Sequence, residues 1–124
     1  NPPSLACDGV YDTAQYWSST SETVPYLKIT CPKEIKITQM LAGVSASNTS
    51  YYKGCVIEGS KDNSNWVELY TTTSTLTGST LNLANTNYYK YYRIRVILSS
   101  TSYSGYVMEW HPTKYVKKIT EVLE

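Results

Sequence analysis

Tyr16 and Trp17, Asn48 with Tyr51 and Tyr52, and Tyr103 with Tyr106 are the residues whose types and setting could do chemistry. Each group sits among Ser, Thr, Asn and Gly, in the stretches YWSS (16–19), AGVSASNTSYYKG (42–54) and SSTSYSGY (99–106). An aromatic ring offers a flat apolar face, and tyrosine adds a hydrogen-bonding tip. Asn and Ser add compact donors and acceptors. That combination suits a polyhydroxylated ring such as a sugar. Ordinary roles compete for two of them: Trp17 as a core plug and Tyr106 as a strand residue. Arg93 and Arg95 sit on a strand, where pairing with Glu58 or Glu68 is the expected use. The chemistry of turnover has no comparable set. There is no nucleophile elbow, no metal-ligating His pair and no Gly-rich phosphate loop. His111 is the only histidine, between Trp110 and Pro112, with no acid or nucleophile signature beside it. The expectation is a binding module and not an enzyme. Asn48-Thr49-Ser50 is a glycosylation sequon, meaningful only in a secretory pathway.

The elements that must position these residues are strands. No window shows a clean helical apolar period. β-branched and aromatic residues dominate, and turn formers recur at short intervals, which is the pattern of a sandwich or barrel. Strands are expected near 26–30, 35–44, 52–60, 66–73, 79–83, 89–98, 106–110 and 115–122, with residues 1–25 irregular around the Asp8-Gly9 turn signal. CVIEGSKDNSNW, residues 55–66, is the clearest segment. Cys55, Ile57 and Gly59 share one face at period two. The cluster Lys61-Asp62-Asn63-Ser64-Asn65 can bond its own backbone and tolerate left-handed torsions. Trp66 then opens the next strand, and with Cys55 and Ile57 it is expected in the core. Tyr92, Ile94 and Val96 alternate with Tyr91, Arg93 and Arg95, giving one apolar and one polar face.

The composition narrows the class. A chain of 124 residues suits one domain, residues 1–124, large enough to fold without metal or disulfide. Charged residues make up 17% and the net charge is +1, with no long basic block, so nothing argues for nucleic acid or an anionic membrane. No apolar run reaches the roughly 18 residues of a membrane span, so no transmembrane segment is expected. Thirteen Tyr stand against no Phe. Plain β propensity accounts for tyrosines on strands, which leaves those in loops as the functional candidates. Cys7, Cys31 and Cys55 are an odd set, so at least one is unpaired within the chain. Free buried thiols are expected, with a Cys7–Cys31 or Cys7–Cys55 bridge left open.

In order along the chain, these pieces resemble the discoidin family, also called the coagulation-factor C-type domain, and its relatives among the family 32 carbohydrate-binding modules. Ala6-Cys7-Asp8-Gly9, Thr13 and Trp17-Ser18-Ser19 look like the family's opening "A-x-D-G … T … W-x-S". Pro25-Tyr26-Leu27-Lys28-Ile29 looks like its "x-W-L-x-I-D-L" strand, and Ile35 and Ile37 match the next. GCVIEGSKDNSNW, residues 54–66, matches "Y-x-I-x-x-S-x-D-G-x-x-W". Lys90 to Val96 look like "R-Y-I-R-I-x-V", and Met108-Glu109-Trp110 sits where the late "L-x-E" strand lies. There are departures. Thr30 stands for the usual aspartate, Asn63 for the turn glycine, the Thr13–Trp17 gap is stretched by two residues, and the flanking cysteine pair of the animal branch is absent at the C-terminal end. These favour the microbial, viral or carbohydrate-module side of the superfamily.

The resemblance implies an all-β fold, an eight-stranded antiparallel jelly-roll β-sandwich of the galactose-binding-like type. It implies a structural Ca²⁺ held by the side chains of Asp8, Thr13 and Glu109 with carbonyls near Val10 and Thr13, hard oxygen donors that suit this ion. It also implies that the three candidate loops gather at one end. The expected function is a lectin-like module that directs a larger extracellular, cell-surface or virion protein to a glycan, galactose-type or related. The alternative is an adhesion or structural module contacting protein or membrane. The loops carry Val44 and tyrosines but no exposed apolar spike, which counts against membranes.

Overall fold

A computed structural model describes residues 17–18, 26–46, 48–99 and 104–118. Seven strands are described: β1 (Trp17–Ser18), β2 (Tyr26–Ala46), β3 (Tyr52–Ser60), β4 (Val67–Thr72), β5 (Leu76–Asn82), β6 (Tyr89–Leu98) and β7 (Gly105–Lys117). All their pairings are antiparallel, in the order β1-β7-β2-β6-β3-β4, with β5 also on β2. The all-β expectation holds, but the eight expected strands become six, and β1 is added. Segments 26–30 and 35–44 are one strand of 21 residues. Segments 106–110 and 115–122 are joined as β7, which ends at Lys117; 119–122 lie outside the described residues.

The merger at β2 builds the sandwich. Residues 26–30 pair with β6, and so does Ile35, where pairing with β7 begins and runs to Ala46, with 39–44 on β5 at the other side. The register breaks between Thr30 and Ile35, across Pro32, which has no N–H to give a ladder. β2 therefore leaves one sheet half and enters the other at this corner. A buried tyrosine holds the corner. The Tyr92 hydroxyl donates to the Ile35 carbonyl at 2.6 Å and accepts from the Ile37 N–H at 3.2 Å. Buried Asn85 donates to the Ile37 carbonyl at 3.0 Å. One core fills the space between the halves: Leu27, Cys55, Ile57, Ile94 and Val96 from one side, and Met40, Val44, Leu81, Val107 and Trp110 from the other. The Trp110 ring N–H points at the Met40 sulfur, 3.1 Å away. The thiols of Cys31 and Cys55 are free and buried, and burial raises both above the ordinary thiol range.

The 55–66 hairpin forms as its residue types dictate. Ser60 Oγ accepts from the N–H of Asn63 at 2.9 Å, and Asp62 Oδ1 accepts from those of Ser64 and Asn65 at 2.9 and 2.8 Å. Asn63 takes the left-handed position, φ 64°, where the family pattern has glycine. Gly59 is required for another reason: an added Cβ would lie 2.6 Å from the Tyr89 ring. Trp66 departs from expectation. It is half-buried rather than core, with the Arg93 guanidinium 4.0 Å from its ring centroid. The alternation of β6 does place Arg93 and Arg95 on the outer face, and there both bind Glu58.

Candidate functional site

The strand registers bring the described parts of the expected loops to one end. Ala46 lies opposite Gly105, Tyr52 opposite Leu98, and Ser18 opposite Tyr106. Residues 48–51, Ser99 and Ser104 and the strand Trp17–Ser18 therefore share this end. The turn 60–66, the β2 corner and the end of β7 lie at the other.

A single 3₁₀ turn, Thr49–Tyr51, shapes the first loop. Asn48 caps it, its Oδ1 accepting from the Ser50 N–H at 3.0 Å, and the Tyr51 N–H donates to the Asn48 carbonyl at 3.0 Å. The Asn48 oxygen is thus engaged in the cap, and its amide N–H groups are the donors it could offer a ligand. The Tyr51 carbonyl accepts from the Ser99 N–H at 2.9 Å, which ties the first loop to the next. Serine at 99 carried no sign of this in the sequence, because only its backbone takes part. Tyr51 and Tyr106 are both half-buried, Tyr106 between Ser45 and Ser18 on neighbouring strands.

Tyr52 must be moved from the ligand set to the frame. It is 7% exposed, its hydroxyl donates to the Ser74 carbonyl at 2.8 Å, and burial pushes the phenol far above its ordinary range. A ring packed in the core has no face left for a sugar. Two residues on, Gly54 has φ 134°, and an added Cβ would lie 2.4 Å from the Thr72 carbonyl oxygen. Only glycine fits this close approach. Tyr52 and Gly54 together anchor the root of the loop that carries Asn48 and Tyr51. Tyr16 and Tyr103 lie outside the described residues, and for Trp17 only the strand pairing is described.

Of the residues expected to hold Ca²⁺, Asp8 and Thr13 lie outside the described residues. Glu109 is on β7 opposite Gly43, with 0% exposure, and its Oε1 accepts from the Trp110 N–H at 3.2 Å. A fully buried carboxyl is a donor of the right chemistry. Among the described residues, no group of three or more His, Cys, Asp or Glu could hold a metal.

Comparison with known proteins adds the context. The family model described as F5/8 type C domain matches residues 1–116. Chitosan-binding module 2 of a chitosanase/glucanase from Paenibacillus sp. IK-5, solved with chitotriose, superposes with a TM-score of 0.69 at 21% identity, over 89% of this chain and 84% of that one. A family 32 carbohydrate-binding module produced by Clostridium perfringens gives 0.68 at 14% identity, over 93% and 84%. The family 32 module of AlyQ, in complex with 4,5-unsaturated mannuronic acid, gives 0.64 at 20% identity, over 87% and 82%. These likenesses agree with the galactose-binding-like sandwich expected from the sequence. No curated protein matches the chain.

Proposed function

The chain belongs to the F5/8 type C domain family, and on that premise we propose that it is a non-catalytic, lectin-like module that binds a glycan through its loop end. One observation carries the reading: Trp17–Ser18, Asn48, Tyr51 and Tyr106, far apart in sequence, converge on the same end of a rigid sandwich. Loops on such a scaffold are where recognition concentrates. The ligand is a galactose-type or related sugar; its being a carbohydrate is supported by neighbours described with chitotriose, an unsaturated mannuronic acid and pectin. The module serves a larger secreted or surface protein, as with the glycoside hydrolase in which the matched region makes up 23% of the chain. No helix among the described residues is long and apolar enough to cross a membrane.

A structural Ca²⁺ is part of this proposal, held by Asp8, Thr13 and Glu109 with carbonyls near Val10 and Thr13. The ion would fasten the N-terminal loop to β7, and the buried carboxyl of Glu109 supports it as a hard donor. Calcium should raise the melting temperature of EDTA-treated protein by several degrees, and Glu109→Gln should abolish the rise. Identical melting curves with Ca²⁺ and with EDTA would remove the metal from the account.

A glycan array tests the binding itself. The wild type should bind a discrete set of glycans. Tyr51→Ala and Tyr103→Ala should weaken that binding roughly tenfold, the loss of one stacking contact, without lowering the melting temperature. A silent array contradicts the lectin reading and favours the alternative adhesion or assembly module.

A further inference from the structure

Seven of the eleven Lys and Arg of this chain lie at the end opposite the loops. Segments 30–36, 60–66, 83–91 and 111–118 meet there and carry Lys33, Lys36, Lys61, Lys90, Lys114, Lys117 and Lys118. Their acidic residues are Glu34 and Asp62, and both are engaged. Glu34 accepts from Lys118 at 3.0 Å and from Lys61 at 3.3 Å, which holds its carboxyl below the usual range. Asp62 accepts from backbone N–H groups of its own turn. Among the described residues the surplus of positive charge is therefore local, although the chain as a whole is close to neutral.

This end also holds a groove. Where β2 changes sheets, a cleft of about 640 Å³ opens between the corner and the last part of β7, a size typical of small-ligand clefts. Ile29, Pro32, Ile35 and Pro112 form apolar walls, and Tyr115, 49% exposed, adds an aromatic face. Lys33, Lys117 and Lys118 line the same cleft, beside Glu34, which pairs with Lys118 and leaves the lining with a net positive charge. Apolar faces accept sugar rings edge or face on, while ammonium groups at the rim accept anionic substituents. The cleft has one aromatic ring and no guanidinium, whereas single-stranded nucleic acid takes successive stacking platforms.

We propose that this groove is a second saccharide site, separate from the loop end, that takes carboxylate-bearing polysaccharide chains such as polyuronates. It does not rest on the glycan reading of the loops. A module with a site at each end could bridge two chains, or hold an acidic polymer while the loops engage another glycan.

Affinity electrophoresis through gels containing polygalacturonate, neutral galactan or single-stranded DNA tests the site. Polygalacturonate should retard the wild type, and added salt should weaken the effect. The triple variant Lys33→Gln, Lys117→Gln, Lys118→Gln should bind it roughly tenfold more weakly, at unchanged melting temperature and with unchanged binding of any neutral glycan from the array. Tyr115→Ala should weaken polygalacturonate binding without altering net charge. Tyr51→Ala should leave it intact. No retardation of the wild type, full retardation of the triple variant, or loss in Tyr51→Ala would each overturn the proposal. Equal or tighter binding of DNA would overturn the polysaccharide assignment.

Discussion

Tyr92 shows what a hydroxyl can do inside a core. Its ring is fully buried, and its oxygen serves both the Ile35 carbonyl and the Ile37 N–H, backbone groups at the corner of β2. Phenylalanine would fill the same space and leave both groups without that partner. Tyr92→Phe should therefore cost about 1–3 kcal/mol despite the conserved volume. Urea unfolding reads this as a lower midpoint with an unchanged slope; a variant as stable as the wild type would refute the role. Tyr52 repeats the pattern with Ser74. The abundance of Tyr over Phe was plain in the sequence, but these uses were not, because Tyr92 meets its acceptor 57 positions away. Loop position alone could not separate Tyr51, half-buried at the loop end, from its neighbour Tyr52 in the core. The Tyr52 hydroxyl meets the Ser74 carbonyl on the β4–β5 connection, a partner that no local pattern shows.

At the scale of elements, alternation and turn chemistry were legible, and strand continuity was not. The hairpin of β3 and β4 follows from Ser60, Asp62 and Asn63, residues whose bonds are local. That β2 runs on through Cys31-Pro32-Lys33-Glu34 depends on the partners its two flanks find in β6 and β7, which no local pattern reveals. The ion pairing on the outer sheet face was foreseen only in part. Glu58 and Glu68 were equal candidates, and the register gives both arginines to Glu58. Arg93 Nε donates to it at 2.7 Å and Arg95 Nε at 2.8 Å. Burial alone would raise the Glu58 carboxyl, but these bonds outweigh it and hold it below the usual range. A lowered folded value means that the stabilisation is complete above the unfolded value of about 4.3 and fades as pH falls through the folded one. Glu58→Gln should thus lose less stability than the wild type between pH 7 and pH 3, by on the order of 1 kcal/mol in urea unfolding. Parallel losses in the two proteins would show that Glu58 is not the group responsible.

For the whole molecule, the corner of β2 and the strand registers create two unlike ends. One bears the aromatic loops tied through Tyr51 and Ser99, and the other bears lysines around a groove. The resemblance carried the first end, since its motifs mark the strands that bring those loops together. The second end was invisible in sequence. Lys33 and the Lys117-Lys118 pair are 84 or more positions apart and form no basic block, and a net charge of +1 conceals their gathering. The central claim is that a glycan binds at the loop end, and amide chemical-shift mapping tests it most directly. A neutral glycan selected from the array is titrated into ¹⁵N-labelled protein. The account predicts the largest shifts in Trp17, Ser18, residues 48–51, Ser99 and residues 104–106. Shifts centred on residues 30–36 and 112–118, or on Trp66 and the outer sheet face, would contradict it.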